Sequence, residues 1–132
     1  MSDSTASIRT VTAGSLTAEG AARGDVIEVR LRGSAELGSK DLLDEFLASV
    51  FAASHDRREV VVDLSELEYM NSSALKSLVT WIVRVRDLPE SRRHKIRFLS
   101  NPELHWQQRS LHSLVSMWSD VIEVEEWSGA SS

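Results

Sequence analysis

The clearest structural pattern in this chain is VVVDLSELEYMNSSALKSL, residues 60–78. It opens with three consecutive valines, which predict a strand that is apolar on both faces and lies inside a parallel sheet, covered by helices on either side. From Leu75 and Leu78 onward, apolar residues recur at intervals of three and four, the spacing of an amphipathic helix. The stretch therefore predicts a buried strand, a short loop and a helix that begins near Asn71.

Similar patterns recur on both sides of this stretch. Alternating or continuous apolar residues indicate strands, and residues suited to a helix N-terminus precede two further amphipathic segments. Strands are predicted at residues 8–12, 26–33, 96–99 and 121–124. Helices are predicted to begin after Ser39 and after the N-cap Asn101, with Pro102 and Glu103 in the first turn. Residues 13–25 contain three glycines and predict a loop, in which a little extra strand near Leu16 is left open.

The predicted order of elements is β-β-α-β-α-β-α-β, which indicates an α/β fold with a parallel or mixed sheet. We expect a small sandwich in which a sheet of four to five strands packs with three to four helices. A length of 132 residues corresponds to about one domain, which is expected to span residues 8–127. The small and polar end segments, residues 1–7 and 128–132, are expected to be flexible.

Composition and charge narrow the classes of partner. Fifteen lysines and arginines against twenty acids give a net charge of −5 without a basic stripe, which argues against nucleic acid. The basic run at residues 92–95 predicts a solvated loop. The chain has no cysteine, and its four histidines lack the spacing of metal ligands, so no metal or other cofactor is expected. No apolar run approaches the roughly 18 residues that span a bilayer, so we expect a cytoplasmic protein without a membrane partner.

The predicted helix start at Asn71 carries two hydroxyl groups in its first turn. Asn71 can serve as N-cap, which leaves Ser72 and Ser73 beside backbone N–H groups that have no intrahelical partner. The positive end of the helix dipole can accept a dianion, and a phosphate on a first-turn serine would supply one. Capping alone also explains all three residues, so spacing by itself does not decide between the two interpretations.

The same stretch resembles the signature of the STAS family, the anti-sigma factor antagonists and their relatives. In that family a strand ends in Asp-Leu-Ser, and after about five residues Asp-Ser-Ser/Thr-Gly-Leu opens a helix. Here residues 63–65 match the strand end, and Asn71-Ser72-Ser73-Ala74-Leu75 matches the helix start. The turn at residues 31–33, with Glu36 beyond it, and the order of elements over residues 26–125 resemble the family as well.

The resemblance implies a binding module of a bacterial signalling pathway that regulates transcription by partner switching. Ser72 would be the phosphoacceptor, with Ser73 as second choice. The expected partner is a serine-kinase anti-sigma factor or another STAS-binding protein, and a phosphatase would reverse the modification. Asn71 replaces the usual Asp, which removes a charge beside the acceptor, and Ala74 replaces the usual Gly, which adds a methyl group at the switch.

A partner surface is expected around this helix start. Tyr69 and Met70 precede it, and Lys76 follows within the first turns. Trp81 lies off the main apolar stripe of the helix, which is compatible with the margin of the core or with a partner anchor, since tryptophan is enriched in binding hot spots.

Two other functions remain open at this stage. One is a STAS scaffold that is not phosphorylated and assembles with itself or with a transporter complex. The other is a small serine-dependent hydrolase with Ser72 as nucleophile. Met70 and Ala74 stand where a Gly-x-Ser-x-Gly elbow would place glycine, so the expectation is that the protein is not an enzyme.

Overall fold

Seven strands and three α-helices form the part of the chain that the computed structural model describes, residues 5–127. The strands are β1 Thr5–Ala13, β2 Leu16–Arg23, β3 Val26–Ala35, β4 Glu59–Asp63, β5 Leu67–Met70, β6 Lys95–Ser100 and β7 Ile122–Glu126; the helices are α1 Lys40–Ala53, α2 Ser72–Arg86 and α3 His105–Trp118. Residues 1–4 and 128–132, expected to be flexible, lie outside the described residues. Residues 5–7, for which the same was expected, belong to β1.

One mixed sheet organises these elements. Its strand order is β1-β2-β3-β4-β6-β7, in which β1, β2 and β3 are antiparallel and β3, β4, β6 and β7 are parallel. The short β5 pairs with the last residues of β3. The α/β class, the mixed sheet and the alternation of strands and helices are confirmed. The expected number of four to five strands is wrong, because β2 and β5 are additional.

The prediction of a loop over residues 13–25 missed most of β2. Two-residue turns join β1 to β2 and β2 to β3, and each has glycine with positive φ at its first position: Gly14 at 61° and Gly24 at 59°. Glycine at that position suits the type II′ turn of a hairpin. The strand between the turns faces the core with Leu16 and small residues, and alanine and glycine carry little strand propensity.

All three helices contribute to one hydrophobic core, which lies on one face of the sheet. Helix α1 packs closely on β2, where a Cβ at Gly20 would lie 3.4 Å from the ring of Phe46. In β4, Val60 and Val62 face this core, whereas Val61 is half-buried and borders a shallow concavity of the opposite face. The prediction that helices cover both faces of β4 is therefore wrong for residues 5–127.

The opposite face of the sheet carries charged side chains that pair across strands. Arg97 on β6 contacts Glu59 on β4 at 2.5 Å and Glu125 on β7 at 3.1 Å. Arg30 on β3 lies 3.8 Å from Asp63 on β4. Glu59 is buried, whereas the other partners keep part of their surface in water, where ion pairs add little stability individually. Their effect is to give this face a polar surface that needs no covering helix.

The helix starts show one confirmed boundary and one error. Helix α1 begins directly after Ser39, but the Ser39 hydroxyl accepts the backbone N–H of Glu36 at 3.2 Å and caps no helix N–H. Helix α3 begins at His105, three residues later than the predicted first helical residue, Pro102. The side chain of Asn101 instead accepts the N–H of Glu103 at 2.9 Å and closes a turn that precedes the helix.

The basic run before β6 contains a buried residue, which corrects the prediction of a fully solvated loop. The side chain of His94 is 3% exposed, and among residues 5–127 neither ring nitrogen has a hydrogen-bond partner. Burial, with a smaller contribution from His55, lowers the pKa of His94 below its usual 6.5. The folded protein therefore resists protonation at this position.

The free energy of unfolding is expected to fall as the pH drops below about 6.5, because the unfolded chain then binds a proton at His94 that the folded chain resists. One such group changes the free energy of unfolding by at most about 1.4 kcal/mol per pH unit. Chemical unfolding at a series of pH values measures it. His94→Gln should remove this contribution, whereas His112→Gln, at an exposed position, should retain it. Equal slopes in both variants would contradict the assignment.

Candidate functional site

The motif at residues 63–75 forms at the edge of the sheet where β4 ends. Asp63, the last residue of β4, accepts the N–H of Ser65 at 2.9 Å through Oδ1 and so fixes the turn that leaves the strand. The N–H of Leu67 donates to the carbonyl of Leu64 at 3.0 Å and closes the turn. The aspartate of the motif thus acts here as a turn former.

Strand β5 then carries the chain alongside the end of β3. The change of partner occurs at Gly33, whose φ of 92° few other residues adopt and whose N–H donates to the carbonyl of Glu66 at 3.0 Å. Beyond the strand, the N–H of Asn71 donates to the carbonyl of Ala35 at 2.9 Å. These bonds fix the position at which α2 begins.

The start of α2 has the geometry that the sequence predicts. Asn71 has extended backbone angles, and its Oδ1 accepts the N–H of Ala74 at 2.9 Å, so the predicted N-cap is confirmed. Ser72 is the first residue of the helix and is exposed, and Ser73 is half-buried. A hydroxyl group is therefore accessible beside the positive end of a 15-residue helix.

The expected partner surface is only partly exposed. Tyr69 is 49% exposed and Lys76 is exposed as well. Met70, Ala74 and Trp81 are buried in the core, Trp81 with 2% exposure. The prediction that the side chains of Met70 and Trp81 lie on the surface is therefore wrong. Helix α2 packs against α1 as well as the sheet, which widens its buried arc to include Trp81.

A residue that the sequence prediction missed supports the loop from the other side. Gln107 on α3 is completely buried, and its Nε2 donates to the carbonyls of Leu64 at 2.7 Å and Leu67 at 3.0 Å. Its Oε1 accepts the N–H of Asn101 at 2.7 Å. The side chain of Asn101 in turn donates to the carbonyl of Ser65 at 3.0 Å. Helix α3 thereby holds the turn that leads to β5 and the start of α2.

The sequence contains a signal for this role. Gln107 occupies a position in the buried stripe of α3, between Leu104 and Leu111 at intervals of three and four. A polar side chain at such a position must find hydrogen-bond partners when it is buried. The pattern predicts a buried amide, but only the fold identifies the carbonyls of the β4–β5 turn as its partners.

Within residues 5–127 there is no group of three or more His, Asp or Glu side chains placed to hold a metal ion. No helix in the same part of the chain is long and apolar enough to cross a membrane.

Comparisons with known proteins bear on the fold. No family model matches the chain, and no curated protein matches it. Among solved structures, an anti-sigma factor antagonist from Mycobacterium paratuberculosis is similar, with a TM-score of 0.66 and 18% sequence identity. The match covers 89% of this chain and 92% of that protein. The STAS resemblance predicted from residues 63–75 is thus confirmed at the level of the fold.

Proposed function

We propose that this chain is a regulatory protein-binding module of the anti-sigma factor antagonist type, controlled by phosphorylation of Ser72. It would act in the bacterial cytoplasm and bind a serine-kinase anti-sigma factor or another STAS-binding protein. The kinase would phosphorylate Ser72, and a phosphatase would restore the unmodified form. The proposal is supported by the fold shared with an anti-sigma factor antagonist and by the residues around Ser72.

The observation that carries the proposal is the exposure of Ser72 at the first position of α2, directly after a side chain that already caps the helix. Because Asn71 satisfies the N–H of Ala74, the Ser72 hydroxyl is not needed as the cap. A kinase can therefore reach the hydroxyl without unfolding the first turn. The phosphate would lie beside free backbone N–H groups and the positive helix end.

The two departures from the family motif are compatible with this mechanism. The methyl group of Ala74 is fully buried, so it adds no bulk to the surface that a kinase would approach. Asn71 keeps the cap but carries no charge, so a phosphate on Ser72 would have one negative neighbour fewer. Lys76, four residues after Ser72 on the same helix, is suitably spaced to pair with that phosphate.

Phosphorylation would change the partner surface chiefly through charge. It adds about −1.5 to −2 charges at neutral pH at a helix start that follows exposed Tyr69 and precedes exposed Lys76 in the chain. A partner that binds the unmodified surface would have to desolvate this dianion, and binding would weaken. Partner release is thus the expected consequence of modification.

Binding measurements with the kinase partner test the proposal. Ser72→Ala should bind like the parent chain and resist modification, whereas Ser72→Asp should bind at least about tenfold more weakly. Ser73→Ala is the matched control and should bind and be modified like the parent. If Ser72→Ala and Ser72→Asp both bind like the parent, the switch mechanism is wrong.

A further inference from the structure

The sheet ends in two very different edge strands. At one edge, β7 has five residues, of which Glu123, Glu125 and Glu126 are exposed acids. Short edges and charged side chains prevent a second strand from pairing. At the other edge, β1 runs for nine residues, TASIRTVTA, with no proline and a single charge. Of the two strands that end the order β1-β2-β3-β4-β6-β7 within residues 5–127, β1 therefore offers the longer and less charged edge.

The single charge of β1 is held away from this edge. The guanidinium group of Arg9 donates to the Ser49 hydroxyl at 3.0 Å and lies 3.7 Å from Glu45, and both residues belong to α1. On the other side of the strand, Thr10 and Thr12 are exposed. Arg9 is thus directed toward the helix layer, and threonines occupy the polar face of β1.

The register of the hairpin identifies the backbone groups that face outward. Ala13 pairs with Leu16 across a two-residue turn, and the pairs then alternate along the strands. In an antiparallel ladder every second residue directs its N–H and C=O away from its partner strand. In β1 these residues include Thr10 and Thr12, so their backbone groups point to the free edge.

We propose that β1 is the pairing edge for a second copy of this chain. Two β1 strands would run antiparallel about a two-fold axis at Val11, so that Thr10 of each copy lies opposite Thr12 of the other. This register is self-complementary, as a closed dimer requires. It would bring together two threonine pairs on the polar face and two Val11 side chains beside the core, against which Val11 already packs in part.

A second copy fits this edge better than a β7 strand does. Pairing of β1 with the acidic and shorter β7 of another molecule would join copies head to tail without closing the assembly. Self-pairing of β1 leaves the edge of β7 unpaired, where the acidic side chains oppose pairing with a further strand. The paired strand contains none of the residues of the proposed switch, so the dimer does not rest on that proposal.

Sedimentation equilibrium of the full chain, from about 5 μM to about 500 μM, tests the proposal. The average mass should rise from 14.7 kDa toward twice that value. A Thr10→Lys/Thr12→Lys double variant and a Thr10→Glu/Thr12→Glu double variant should each associate at least about tenfold more weakly, because like charges face each other. An equimolar mixture of the two variants should regain association, because opposite charges then face each other.

The matched control is Thr80→Lys, which adds a charge at an exposed position of α2 and should dimerise like the parent. Circular dichroism of each variant verifies that it is folded. A parent chain that stays monomeric throughout the range overturns the proposal. A dimer that persists in both charge variants also overturns it, because the contact then lies on another surface. A mixture of the two variants that fails to associate overturns it as well, because residues 10 and 12 of the two copies then do not face each other.

Discussion

Replacing Gly33 with alanine is expected to destabilise the protein by about 3–5 kcal/mol, the largest effect of any single substitution considered for this chain. Gly33 has a φ of 92°, and a Cβ at this position would lie 1.8 Å from the carbonyl oxygen of Ser15. Neither group can move easily, because β3 changes its pairing partner from β4 to β5 at Gly33 and Ser15 lies in the β1–β2 turn. The overlap must therefore displace backbone.

Urea unfolding monitored by tryptophan fluorescence measures this loss. Gly38→Ala is the matched control, because its φ is not positive and no atom lies within 4 Å of a Cβ built there. That variant should stay within about 0.5 kcal/mol of the parent. A Gly33→Ala protein as stable as Gly38→Ala would show that the backbone of Gly33 does not approach the carbonyl of Ser15 as described.

Replacing Gln107 with leucine is expected to lower the free energy of unfolding by roughly 3 kcal/mol. It should also loosen the turn between β4 and β5. The substitution keeps a side chain of similar size but removes the Gln107 partner of the Leu67 carbonyl and of the Asn101 N–H. The carbonyl of Leu64 also loses Gln107 but still accepts the N–H of Leu67. Each buried polar group that loses its partner costs about 1–3 kcal/mol, although some of these groups can recruit water.

Hydrogen exchange distinguishes this effect from a general loss of stability. In Gln107→Leu, amide exchange at residues 65–71 should accelerate relative to the parent chain, because the lost bonds anchor this turn and strand. Exchange in β4 should accelerate much less. Gln108→Leu, at the exposed neighbouring position, should leave both exchange rates unchanged. Uniform acceleration throughout the sheet would contradict a specific role of Gln107 at the turn.

The parts of the fold that follow from local sequence patterns were predictable. The strand at residues 60–62 and the stripe of α2 have clear periodicity, and Asn71 caps a helix through a bond to a residue three positions away. Strand β2 was missed because alanine and glycine face the core there, opposite the ring of Phe46 on α1. The small side chains of β2 are thus compensated by the ring of Phe46. This contact joins two separate elements, so no local sequence pattern reveals it.

The candidate site also combines features that a local pattern predicts with features that depend on contacts between elements. The exposure of Ser72 follows from its position in the first turn, whereas the burial of Trp81 depends on the packing of α1 against α2. Gln107 contacts residues about forty positions earlier in the chain. A sequence pattern predicts that such an amide is buried, but its partners become known only once α3 is placed beside the β4–β5 turn.

The most direct test of the central claim is to locate phosphate on the chain purified from its native cells. Intact mass spectrometry followed by fragmentation should find one phosphate, on Ser72, in the parent and in Ser73→Ala, and none in Ser72→Ala. Phosphate that persists in Ser72→Ala, or a parent chain that is never modified while its kinase partner is present and active, would contradict the proposed control of this protein by a switch at the start of α2.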